Sequence, residues 1–186
     1  MPDCAVAVVD TNVLLNLATP VVDGRPQAPS GADPLHTLLT GYDVHVPASV
    51  LGAVTDATGY DDLLAAAAGL VLQAADHIAT HDVDDRADEP INYGLDQGEA
   101  EGVWLANELE ADLFITDEFS TTNYLFINLV LADRNTLFTT PHILCTFVTH
   151  DILPVEYVDT VLSYYVETKG WERQYVAQLR QEYLHD

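Results

Sequence analysis

Basic residues are almost missing from this chain: Lys169 is its single lysine, and five arginines complete a total of six fixed cations. Cysteine is as scarce. Cys4 and Cys145 share no metal-ligand spacing, which argues against a disulfide-stapled fold or a cysteine-based zinc site and fits a reducing compartment. No apolar run approaches the ~18 residues that a membrane helix requires. The opening residues carry no basic segment, and the apolar stretch at 5–9 is too short for a secretory leader. These absences predict a soluble, cytoplasmic protein with no membrane partner.

What the chain has instead is acid and apolar residues. Thirty Asp and Glu residues bring the net charge to -24, and 48% of the 186 residues are hydrophobic. That apolar share can build a sizeable core, and the length suits one domain. The acids are spread along the chain rather than gathered in a tail. They read as an acidic partner-binding surface or as adaptation to molar salt, where an acidic surface maintains solubility and self-repulsion is screened. The scatter and the near absence of lysine favour salt adaptation, and the pattern resembles that of haloarchaeal proteins. In ordinary buffer such a chain repels nucleic acid. At ~1 M salt the Debye length is only ~3 Å, so the acidity does not exclude a nucleic-acid substrate.

Residues 5–10 (AVAVVD) form a Val-rich apolar run that predicts a buried strand. A short helix is expected over 11–18. A loop should follow over 19–33, which holds Pro20, Pro26, Pro29, Gly24 and Gly31. Further helices are expected at 34–40 with Asp33 as cap, from Ser49 as cap, and at 61–68. Strands are expected at 44–47 and 77–83. The clearest helix spans 96–111 and opens on Asp96-Gln97-Gly98-Glu99, a capping-box pattern. A strand over 112–116 ends at Asp117, a helix covers 121–132, and a last strand lies at 136–140. Pro141 then marks a helix start, with helices at 142–149, 155–169 and 171–183. This alternation predicts a three-layer α/β/α domain over 1–186 with a central parallel sheet of about five strands and a C-terminal helical extension from about 150.

In a parallel sheet, functional groups gather beyond the carboxyl ends of the strands. Asp10 and Asp117 each end one. Glu99 lies in the first turn of the helix before Asp117's strand and continues the stripe of Val103 and Ala106. It should point inward, while Glu101 and Glu108 face solvent. Taken singly, each of these acids reads as readily as a helix cap. Taken together, clustered carboxylates repel and raise one another's pKa, and a divalent cation resolves that repulsion. Oxygen ligands suit Mg2+ or Mn2+, which can activate water and clamp a phosphate oxygen.

Three segments, in order, resemble the PIN domain ribonucleases: Val8-Val9-Asp10-Thr11-Asn12-Val13-Leu14, then Gly98-Glu99-Ala100-Glu101 followed by Leu105-Ala106, then Phe114-Ile115-Thr116-Asp117. None is specific alone; their order and separation make the resemblance, which runs over 6–149. It implies a PIN-like fold and a metal-dependent endoribonuclease that hydrolyses RNA phosphodiester bonds. Asp10, Glu99 and Asp117 would be its catalytic metal ligands, for one or two Mg2+ or Mn2+ ions. Asn12 would help hold the site by hydrogen bonding, and Thr116 matches the family's hydroxyl residue before the last Asp. Asp96 and Glu118 are candidates for a further acid near Asp117. The chain is longer than a minimal VapC toxin, so a toxin with an antitoxin partner and an RNA-processing nuclease both stay open. The sequence also departs from the family. Many PIN nucleases carry another acid in the helix after the second strand, whereas residues 50–54 (VLGAV) have none and Asp56 lies just beyond. The alternative is therefore a weak or inactive PIN-like module that binds protein or RNA.

Other features read as structural. His77 and His81 have i, i+4 spacing but fall in a stretch expected to be strand or loop, so no metal site is expected there. Residues 82–89 lack the glycine and terminal Glu of a calcium loop. His142 and Cys145 are expected in core or surface positions. Tyr157, Tyr164, Tyr165, Trp171 and Tyr175 read as a packing stripe, with a homodimer face as the alternative.

Overall fold

The Val-rich run is a strand, β1 (Val6–Val9), at the centre of a five-stranded sheet. The computed structural model describes residues 4–27, 29, 31–60, 62–87, 95–117, 121–132 and 136–184. After β1 come α1 (Thr11–Asp23), α2 (Pro34–Gly41), β2 (Asp43–Pro47), α3 (Ala48–Ala57), α4 (Leu63–Gln73) and β3 (Ile78–His81). Then follow α5 (Gln97–Glu108), β4 (Leu113–Ile115), α6 (Thr121–Val130), β5 (Thr136–Phe138), α7 (Thr140–Thr149), α8 (Val155–Thr168) and α9 (Arg173–Tyr183).

The strand order is β3-β2-β1-β4-β5, and every neighbouring pair is parallel. Successive side chains of a strand point to opposite faces. Ala7 and Val9 join a core cluster with Leu14, Val50, Val71, Leu144 and Tyr165, from α1, α3, α4, α7 and α8. Val8 joins Phe114, Val103, Ala106 and Ile127, so α5 and α6 cover the other face. Helices thus flank both faces, the expected three-layer arrangement. No described helix is long and apolar enough to cross a membrane.

Several local expectations are corrected. Helix α1 does not stop before the Pro/Gly-rich stretch; it runs on to Asp23 with Pro20 inside it. Proline has no N–H for the carbonyl four residues back. Here the Tyr165 hydroxyl, from α8, donates to that carbonyl, on Asn16. Gly24, at φ 70°, then closes the helix. Ser49 does not cap α3: the N-cap residue is Pro47, without a side-chain hydrogen bond, and Ser49 turns elsewhere. Tyr157, Tyr164, Tyr165 and Trp171 are buried in the same cluster as β1, which makes them packing residues of the main core.

Helix α5 lies so close to β4 that a Cβ on Gly102 would stand 2.9 Å from Phe114 Cε2 and 3.1 Å from its Cζ. Gly102→Ala should therefore lower stability by about 1–2 kcal/mol, since overpacking outweighs the gain in helix propensity. A shifted urea midpoint at constant slope reads this out, and a stabilised variant would refute it.

Candidate functional site

The chain leaves β1 toward β2 on one side of the sheet and later returns to place β4 on the other. Beyond the carboxyl ends of these two strands, a crevice opens at the point where the strand order reverses, the usual ligand position in an open parallel sheet. Asp10 follows β1 and Asp117 follows β4. The strands bring them together through ladder bonds, including Asp10 N–H to the Ile115 carbonyl at 3.0 Å. The N-terminus of α5 points to the same place. A cavity of about 400 Å3 results, lined by Asp10, Asn12, Asp96, Glu99 and Asp117 together with Ser49, Ala53 and Gln97. None of its described lining residues is Lys or Arg.

Asp10 caps α1: its Oδ1 accepts from Thr11 N–H at 2.6 Å, and Thr116, itself buried, donates to its Oδ2 at 3.4 Å. Burial, with the nearby charges of Asp117 and Asp96, pushes the Asp10 carboxyl up to about 6, against the lowering effect of the Thr11 amide. Asp117 is more deeply set. It accepts from Thr140 N–H at 2.7 Å, Thr140 Oγ1 at 2.6 Å and Asn16 Nδ2 at 2.6 Å. Burial raises its pKa too, opposed by these hydrogen bonds. Glu99 is 7% exposed and points inward as expected. It also closes the capping box: Asp96 Oδ1 accepts from Glu99 N–H at 2.9 Å, and Glu99 Oε2 accepts from Asp96 N–H at 3.3 Å. Asn123 of α6 donates to that same oxygen at 3.4 Å.

Asp10, Asn12, Asp96, Glu99 and Asp117 thus surround one cavity without forming a closed cage, and Thr116 bonds Asp10. Among the described residues no three His, Cys, Asp or Glu side chains are grouped to hold a metal ion. Helix caps hold Asp10 and Glu99, and Asn16 and Thr140 hold Asp117. The donor chemistry still fits a hard divalent cation: the acidic groups offer oxygen only, and no described lining cation balances them. Mg2+ in particular keeps several waters and needs only one or two carboxylates.

Other placements differ from the expectations. Asn12 lines the cavity but has no side-chain hydrogen bond among the described residues; Asn16, one turn further, makes the structural contact to Asp117. Glu101, expected in solvent, is only 7% exposed, while Glu108 is exposed. Glu101 bonds Ser49 and Gln97 at the cavity wall. Glu118 lies outside the described residues. Asn16 had a signal in the sequence, as the one polar residue in the run Val13–Ala18, whose burial demands a partner. Thr140 had none: it is expected at the end of the last strand, whereas it opens α7. No protein-family model, no curated protein and no solved structure matches the chain.

Away from the cavity, His81 pairs with His45 of β2 rather than with exposed His77. His81 Nε2 and His45 Nδ1 are 2.8 Å apart, Arg86 reaches His81 Nδ1 at 2.7 Å, and His45 Nε2 meets Asp43 at 3.2 Å. Arginine only donates, so His81 accepts at Nδ1 and carries its proton on Nε2. Arg86 also approaches Glu108 of α5 at 4.0 Å. Burial, with His45 and Arg86 adding, lowers the His81 pKa from 6.5. A depressed histidine contributes stability above the unfolded value and loses it as pH falls below 6.5 through the folded value. The melting-temperature difference between wild type and His81→Gln should therefore shrink from pH 7.5 to pH 5. A difference independent of pH would refute this.

Proposed function

We propose that the chain is a metal-dependent ribonuclease whose centre is the acidic cavity. The observation that carries this reading is the convergence of Asp10, Asp117 and the α5 N-terminus on one cavity at the switch point of a parallel sheet. The likeness to PIN domain ribonucleases at the Asp10, Glu99 and Asp117 segments supports it, as does the three-layer fold. Asp10 and Glu99 would hold Mg2+ or Mn2+, with Asp96 beside them and Asp117 setting the charge beneath. When bound, the ion supplies Lewis acidity and neutralises charge at a phosphodiester. The chain's own residues do the rest. Asn16 and Thr140 keep Asp117 from turning away, and Thr116 steadies Asp10. The cavity's acidity makes it a poor host for a bare phosphate, so substrate entry depends on the cation and on high salt. The proposal extends to the partners: RNA as a toxin's target or a processing substrate, an antitoxin or other protein, and a second copy of the chain.

Purified full chain in high-salt buffer with Mn2+ should cleave single-stranded RNA, and Asp10→Asn should cut the rate at least a hundredfold. Equal rates would sink this reading of the site. A second reading, a non-catalytic module binding protein or RNA, draws on Ala53 lining the cavity where many family members carry an acid, and on the lack of a three-ligand group among the described residues. Calorimetric titration separates them: no Mn2+ binding in the low-millimolar range favours the module.

A further inference from the structure

Glu101 sits on α5 with both carboxylate oxygens turned to the cavity wall. Ser49 Oγ, in the first turn of α3, donates to Oε2, and Gln97 Nε2, in the first turn of α5, donates to Oε1 at 2.7 Å. Both donors line the cavity that holds Asp10. A carboxylate only accepts, and a serine hydroxyl has a single proton to give. Once that proton is directed to Glu101, Ser49 offers a ligand nothing but oxygen lone pairs. One of the two Gln97 amide protons is likewise committed to Glu101, and its carbonyl oxygen can accept from a ligand. Glu101 therefore sets the polarity of this wall.

The consequence is an acceptor-rich wall at Ser49. Ser49 adds its lone pairs to the carboxylates of Asp10, Asp96 and Glu99 in a lining whose other side-chain donors are Gln97, Thr11 and Asn12, and no described lining residue is basic. Such a surface disfavours phosphate oxygens and rewards groups that donate: hydroxyls, amino groups and the water shell of a cation. A ribonucleotide strand carries one hydroxyl donor per sugar that a deoxyribonucleotide strand lacks. We propose that Ser49 and Gln97, oriented by Glu101, accept a hydrogen bond from the ribose 2′-hydroxyl and make the site selective for RNA over DNA. This rests on the ribonuclease reading and adds to it a basis for sugar selectivity. Glu101 is then a positioning residue, acting through Ser49.

The test uses full chain in high-salt buffer with Mn2+ and matched fluorescent RNA and DNA oligonucleotides. Wild type should cleave RNA faster than DNA by roughly tenfold to a hundredfold, the range for a hydrogen bond lost from a polar site. Ser49→Ala should slow RNA cleavage more than DNA cleavage, so the preference collapses. Ser49→Thr should restore it. Glu101→Gln should weaken the preference, because its amide can donate to Ser49 and release the hydroxyl proton toward the ligand. Retention of the wild-type ratio by Ser49→Ala, or equal cleavage of RNA and DNA by wild type, overturns the proposal. If wild type cleaves neither, the ribonuclease reading fails by itself. Fluorescence anisotropy with the same oligonucleotides then decides the sugar preference. Tighter RNA binding that Ser49→Ala abolishes supports it, and equal or absent binding refutes it.

Discussion

Replacing Asp10 by asparagine should raise the melting temperature at pH 7 by roughly 4–12 °C while removing Mn2+-dependent cleavage. The Asp10 carboxyl is pushed up from 3.8 to about 6, chiefly by burial. A carboxylate with a raised folded pKa contributes its stability fully below the unfolded value and loses it as pH rises through the folded value. At pH 7 the ionised group is therefore a burden of about 2–3 kcal/mol. Asparagine keeps the cap on Thr11, since Asn and Asp serve equally as N-caps, and it removes the half-buried charge. The gain should vanish as pH falls below 3.8, where Asp10 becomes protonated in both states. Melts belong in chelator, because a bound ion would stabilise wild type alone. A lower melting temperature for Asp10→Asn at pH 7, or an increment that does not change with pH, would overturn this account. An acid retained at such a cost to stability is the kind of exchange expected of a functional group.

Tyr165→Phe should cost about 1–3 kcal/mol, the penalty for leaving a buried carbonyl without its donor. Pro20 inside α1 frees the Asn16 carbonyl, and the Tyr165 hydroxyl supplies the missing proton from α8. Burial holds that hydroxyl's pKa well above the usual tyrosine value, so it stays a donor. Tyr165 also stacks on Trp171 with ring centroids 4.3 Å apart, a contact that phenylalanine keeps. The loss is thus specific to the hydrogen bond. A double-mutant cycle isolates it: in a Pro20→Ala background the new N–H can serve the Asn16 carbonyl, and Tyr165→Phe should then cost much less. Equal losses in both backgrounds would show that the bond does not compensate for the proline. The outcome bears on the site as well, because the Asn16 side chain holds Asp117 at 2.6 Å. Helix α8 therefore braces the cavity through the backbone of α1.

Much of this was readable in the sequence because it rests on local physics. Alternating Val-rich runs and capped helices are short-range patterns, and they led to the parallel sheet and to Asp10 and Asp117 at strand ends. The Asp96–Glu99 capping box was visible for the same reason, and both of its expected hydrogen bonds form. The boundary of α1 was not visible. Proline at position 20 signals a break by local rules, and only a donor 145 positions away, Tyr165, lets the helix continue. The helix wheel placed Glu99 inward but failed for Glu101, because it knows only one neighbouring surface. Ser49, on a separate helix, gives Glu101 a second one.

The sequence by itself determined the order of strands and helices, the surplus of acid and the two aspartates at strand ends, since each follows from residues near one another in the chain. Only the tertiary structure decided which polar groups share the cavity and which of their protons are already spent. Asn16 and Thr140 on Asp117, and Glu101 on Ser49, are long-range or cross-element pairings. The direction of a hydrogen bond depends on the partner that packing brings, and no local pattern records that partner.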